Sequence, residues 1–129
     1  MKIFGYREFQ NEKLFLIKDI SQINNTPPNS NILFDYNEDI LQYVSKEKLP
    51  FSVITSSITE TLISADFSAK YIVIKGKDLL LNIQKIADTY MFDSKILYLG
   101  KNEADIEYCA LNGIDGIIFE NSIIKEYVK

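Results

Sequence analysis

Lys70-Tyr71-Ile72-Val73-Ile74-Lys75 sets four consecutive apolar residues between two lysines. A strand with one face in water alternates apolar and polar residues; a strand apolar at every position is covered on both faces, as in a parallel sheet flanked by helices. A helical pattern follows it. Across residues 78–91, Leu79, Ile83, Ile86, Ala87 and Tyr90 fall at spacings of four, seven, eight and eleven, which draws one apolar stripe on a helix.

Moving outward from this unit, the same runs recur. Ile32-Leu33-Phe34 and Phe51-Ser52-Val53-Ile54 precede it, and Ile96-Leu97-Tyr98-Leu99 and residues 114–119 follow. Ser57 stands three residues before Glu60, the spacing of a capping box. Asn37 and Asn102 stand where helix N-caps belong, each followed by acidic residues that suit the positive end of a helix. Gly113 fits the left-handed position just past a helix end. The expected fold is α/β, a mainly parallel sheet of about five strands. Right-handed crossovers leave two arrangements: a three-layer α/β/α sheet, Rossmann-like or flavodoxin-like, or a partial (βα) barrel. The open three-layer sheet is favoured, because half a barrel leaves its inner face bare unless it dimerises.

The first thirty residues read differently. Residues 3–6 and 14–17 form two short apolar runs around a polar stretch, the pattern of a β-hairpin. Pro27 and Pro28, among Asn and Ser, then mark a loop. The reading is one domain overall, with residues 1–30 a hairpin appendage and loop and residues 31–129 the βα-repeat core. Tyr6, Phe9 and Phe15 are expected to pack on that core or on a second subunit. Ile123, Ile124, Tyr127 and Val128 read as a closing helix.

Composition narrows the chemistry. The 129 residues include no histidine and one cysteine, Cys109. Ser-His-Asp and Cys-His mechanisms are therefore excluded for the chain acting alone, and no transition-metal site is expected. A carboxylate-only magnesium site stays open. No cofactor motif is found: no strand is followed by Gly-x-Gly-x-x-Gly, and no phosphate-loop motif occurs. The net charge is −4 without a basic run, which argues against a nucleic-acid partner. No run approaches the roughly 20 apolar residues of a membrane span, and the N-terminus lacks a signal peptide's apolar core; a cytoplasmic location is expected. Abundant Ile, Lys and Asn match the output of AT-rich bacterial genomes. Cys109 shares a helical face with Ile106 and Ala110, so it reads as a small buried hydrophobe.

In open parallel sheets, ligands sit beyond the carboxyl ends of the strands. That rule selects Asp35 and Asn37 after the first core strand, Thr55, Ser56 and Ser57 after the second, and Lys75 and Lys77 after the third. Lys101 and Asn102 follow the fourth, and Glu120 the fifth. Hydroxyls and lysines near helix starts suit an anionic or phosphorylated ligand. Ile32-Leu33-Phe34-Asp35-Tyr36-Asn37 resembles the nucleophile motif of the haloacid dehalogenase-like phosphatases, an apolar strand ending in Asp-x-Asp. The resemblance implies Asp35 as nucleophile, Thr55 in the second motif, and Lys75 or Lys77 as the lysine. It departs where Asn37 replaces the acid/base carboxylate, and no acidic pair follows the later strands. Two functions are expected to compete: a non-catalytic module binding a protein partner or itself, and a small-molecule enzyme or sensor for an anionic ligand. The first is favoured, since no complete catalytic set is visible.

Overall fold

The structure is a computed structural model and describes residues 1–8 and 12–127. Phe9 and Val128 lie outside the described residues. The strands are β1 (Lys2–Phe4), β2 (Leu14–Leu16), β3 (Asn31–Asp35), β4 (Phe51–Thr55), β5 (Tyr71–Ile74), β6 (Lys95–Leu99), β7 (Gly116–Ile118) and β8 (Ile123–Ile124). Four α-helices alternate with the central strands: α1 (Glu38–Lys46), α2 (Ile58–Asp66), α3 (Lys77–Thr89) and α4 (Glu103–Leu111). Short 3-10 turns occupy Ile20–Asn25 and Glu120–Ser122. Among the described residues no helix is long and apolar enough to cross a membrane.

The five expected strands are all present, as β3 to β7, but the sheet is larger. It has eight parallel strands in the order β1-β7-β6-β5-β4-β3-β2-β8. β7 and β8 stand six places apart in that order, about 29 Å across a flat sheet at roughly 4.8 Å per strand. The chain from Ile118 to Ile123 is five residue steps long, at most about 18 Å. The sheet therefore curls, and it forms a half-barrel of four strand–helix units flanked by short strands on both sides.

Two apolar clusters divide the sheet by face. The outer one joins Ile32, Phe34, Val53, Ile72, Ile74, Ile96 and Ile117 to helix residues such as Leu41, Val44, Leu80, Ile83 and Cys109. The inner one is built from strand residues: Phe4, Leu14, Leu33, Tyr71, Val73, Leu97, Ile118 and Ile123, with Leu16, Ile54 and Leu99 against them. All eight strands contribute to it. This corrects the expected Rossmann-like or flavodoxin-like three-layer arrangement. A doubly wound sheet reverses its strand order to place helices on both faces. From β3 to β7 the order runs without reversal, so successive right-handed crossovers deliver every helix to the same face. Strand residues themselves make up the cluster on the other face.

The N-terminal hairpin is also corrected. β1 pairs with β7, and β2 lies between β3 and β8, all in parallel. Three-residue strands of this kind gain more from adding to a sheet whose inner face needs cover than from pairing as a two-stranded ribbon. The closing helix is replaced by β8 and an irregular segment. Asn121 Nδ2 donates to the carbonyls of Gly5 (3.2 Å) and Arg7 (2.9 Å), which ties the segment before β8 to the segment after β1. Tyr6 packs on Phe119 and Phe15 on Tyr127, so both rings serve the chain's own fold.

Every helix ends alike. Lys48, Ser68, Met91 and Gly113 take left-handed backbone conformations just past α1 to α4. The next residue's N–H then bonds five residues back: Leu49 to Val44, Ala69 to Ser64, Phe92 to Ala87, and Ile114 to Cys109. This closure turns the chain under the sheet and launches each following strand.

Candidate functional site

The carboxyl ends of the strands carry two separate hollows. One, of about 420 Å³, lies over β3, β4 and β5 and is lined by Asp35, Thr55, Ser56 and Lys75, with Tyr36, Glu60 and Asp78. The other, also about 420 Å³, lies over β6, β7 and β1 and is lined by Lys101, Asn102 and Glu120, with Tyr6, Arg7 and Asn121. Asp35, Thr55 and Lys75 are thus brought together, and Lys101 is not among them. Asn37, Ser57 and Lys77 line neither hollow.

Most of the candidates' polar atoms are used inside the chain. Asn37 caps α1, accepting from the Ile40 N–H at 3.0 Å. That role is positional, and it assigns no acid/base function to the residue at which the phosphatase resemblance already departs. Ser57 caps α2, accepting from the Glu60 N–H at 3.1 Å. Glu60 reaches back one residue further than a capping box requires, to the Ser56 N–H (2.9 Å) and hydroxyl (3.2 Å). Thr55 is buried, its hydroxyl 2.7 Å from that of Thr61. Glu120 pairs with Lys125 at 2.9 Å.

Lys77 and Asn102 belong to a clamp centred on Asp105. This carboxylate is 5 % exposed and takes the Lys101 N–H (2.8 Å), the Asn102 N–H (3.3 Å) and the Lys77 ammonium (3.1 Å). Asn102 in turn accepts from the Asp105 N–H at 3.2 Å, a complete capping box. Burial raises the carboxyl, but the Lys101 N–H, Lys77 and the Asn102 N–H outweigh it and hold it below the ordinary aspartate value. The bond to Asp105 raises the Lys77 ammonium correspondingly. The ammonium also sits over the rings of Tyr108 (4.5 Å) and Tyr98 (5.9 Å). The start of α3 is thereby fastened to the start of α4. Cys109, beneath, is fully buried, and burial followed by the Asp105 charge pushes its thiol up to about 11.

What remains open in the first hollow is mixed in charge. Lys75 faces Asp35, Glu60 and Asp78, so carboxylates outnumber the cation. Burial, then Glu38 and Glu60, keep the Tyr36 phenol above its ordinary value and hence neutral. No group of three or more metal-ligating side chains gathers among the described residues. The hollow offers hydrogen bonds and charge, and it lacks a nucleophile held against a base.

Two features were not anticipated. Asp105 is the first; a Ser-, Thr- or Asn-x-x-Asp spacing at a helix start was the signal that could have found it. The second is a groove of about 930 Å³ at the opposite end of the sheet, between the carboxyl-terminal turns of α2 and α3. Leu62, Ala65, Ile86, Tyr90, Met91 and Phe92 line it. Of the apolar stripe read from the sequence, Ile83 and Ala87 are buried, together with Leu80 and Gln84, whereas Tyr90 is 71 % exposed. No protein-family model and no curated protein sequence matches the chain.

Proposed function

We propose that this chain is a non-catalytic module that binds another protein. The observation that carries the reading is the fate of the strand-end polar groups. Asn37, Ser57 and Asn102 cap helices, Thr55 bonds Thr61, and Lys77 is spent on Asp105. A catalytic site keeps such groups aimed at a shared point in a cleft; here they hold the scaffold together. Large apolar side chains meanwhile stand in solvent at the other end, where contiguous exposure marks interaction surfaces. A single, buried thiol fits a cytoplasmic setting.

One observation favours a second reading, a small anionic ligand in the first hollow. α3 opens there on Gly76, whose lack of a side chain leaves the first N–H groups uncapped beside Lys75. A thermal-shift screen of phosphorylated metabolites and nucleotides, with and without magnesium, separates the two. A ligand at one hundred times its dissociation constant adds about 2.7 kcal/mol. The interaction reading expects no shift. A saturable rise in melting temperature that Lys75→Ala abolishes overturns it.

A further inference from the structure

α2 packs Ile63 and Ala65 on the core, yet its most buried residues carry hydroxyls. It buries Thr61 (2 % exposed) and Ser64 (0 %) against the sheet and turns Ile58 (37 %) and Leu62 (42 %) outward. The reason lies in β4: the buried Thr55 hydroxyl needs a hydroxyl facing it, and Thr61 supplies one. Leu62 on the outward side of α2 shares the groove with Ile86 of α3 and with Tyr90 and Met91 just past its end. Met91 is 84 % exposed and holds a left-handed backbone (φ 51°), a position that glycine or asparagine fills at lower cost. A bulky apolar residue kept in water on strained backbone is unfavourable for the isolated chain; its thioether is an adaptable contact for a partner.

The groove also has a sign. Asp66 and Asp93 line it and enter no ion pair among the described residues. Its lysine, Lys70, is drawn away to Glu12 at 2.8 Å. The uncompensated charge is negative. The surface is a trough between two helices, and a two-fold contact between copies would set trough against trough with neither filled. A convex element fits, and a single helix is the convex element that docks into such grooves.

We infer that the groove between α2 and α3 receives one amphipathic helix of a partner protein, with an apolar face set on Leu62, Ile86, Tyr90 and Met91 and flanking Lys or Arg residues beside Asp66 and Asp93. The inference rests on the interaction reading above and names the partner's chemistry.

The test uses the intact chain and two fluorescent peptides of equal length and helical pattern, one Leu/Lys and one Leu/Glu, read by anisotropy at low salt. The Leu/Lys peptide is expected to saturate at one per chain and the Leu/Glu peptide not to bind. Leu62→Asp is expected to weaken binding at least tenfold. Met91→Asn, which suits the backbone, weakens it with folding intact by circular dichroism, and Asp66→Asn with Asp93→Asn weakens it more at low salt than at high salt. Equal binding of both peptides overturns the inference, as does indifference to Leu62→Asp and Met91→Asn. So does a concentration-dependent dimer that Met91→Asn dissociates, which assigns the groove to a second copy. Failure of the Leu/Lys peptide with a silent ligand screen removes the helix and leaves the interaction reading; a ligand shift abolished by Lys75→Ala removes that reading itself.

Discussion

Gly5, just past β1, packs directly on Ser122, just before β8: a Cβ on Gly5 would lie 2.7 Å from the Ser122 Oγ and 2.8 Å from its backbone nitrogen. Gly5 follows the first strand of the order and Ser122 precedes the last, so their contact packs the segment after β1 on the segment before β8. Gly5 also holds φ +77°, where an L side chain is strained. Gly5→Ala is expected to cost about 3 kcal/mol, from the left-handed backbone and the clash combined. Gly113→Ala, at φ +67° with open space around it, should cost only about 1 kcal/mol. Urea denaturation of the two variants checks the difference; equal losses would mean that these two segments do not press on one another.

The Asp105 clamp predicts a pH dependence. Its carboxyl is held below the ordinary value, so its contribution is complete above the unfolded aspartate value near pH 4 and is lost as pH falls through the lower folded value. Asp105→Asn is expected to cost about 1–2 kcal/mol at neutral pH, since it removes the buried charge that accepts from the Lys101 and Asn102 N–H groups and from the Lys77 ammonium. Its stability should then fall less steeply than that of the natural chain below about pH 4. Lys75→Ala and Lys101→Ala, at exposed positions, should change stability by under about 0.5 kcal/mol. Chemical denaturation between neutral and acid pH measures all three.

Two neighbours on α2 should respond in opposite directions. Ser64 is fully buried and its hydroxyl has no partner among the described residues. Ser64→Ala removes an unpaired polar atom and is expected to raise stability by about 1 kcal/mol. Thr61→Val leaves the buried Thr55 hydroxyl unpaired and should lower it by about 1–2 kcal/mol. Thermal melts of the pair decide, and a loss in both variants would contradict the hydrogen-bond assignment.

Met91→Asn should stabilise the fold by roughly 0.5–1 kcal/mol, because asparagine tolerates the left-handed conformation better than methionine. A variant that is more stable yet binds a groove peptide less well separates the role of Met91 in binding from any role in folding. A loss of stability here would show that the side chain supports the core.

The central strands were legible in the sequence because both of their faces are buried, which writes apolar residues at every position of Tyr71-Ile72-Val73-Ile74. The caps Asn37, Ser57 and Asn102 were legible because capping is local chemistry. Strand order was not. Nothing within Ile3 or Leu14 states that β1 will join β7 and β2 will join β3; that choice depends on which sheet edge is open once the core has formed. β8 was misread because Ile123, Ile124 and Tyr127 sit at helical spacing, and a two-residue strand gives no period to compete. The Lys77–Asp105 pair joins separate helices, so neither residue's neighbours announce it. The groove was hidden for a related reason: Tyr90 continues an apolar stripe, and the stripe does not reveal where the helix leaves its sheet.

The account stands on a sheet that covers its own inner face. Amide hydrogen exchange tests this most directly. The Lys2 N–H bonds the Asp115 carbonyl at 3.0 Å and the Phe119 N–H bonds the Phe4 carbonyl at 2.8 Å; both hold β1 on β7. If β1 is an integral strand of the half-barrel, the Lys2 and Phe119 amides should exchange within about tenfold of the Ile72 and Ile96 amides in the central strands. Exchange of both amides at the rate of exposed loops, with Ile72 and Ile96 still protected, would contradict the account and leave Phe4, Leu97 and Ile118 without their cover.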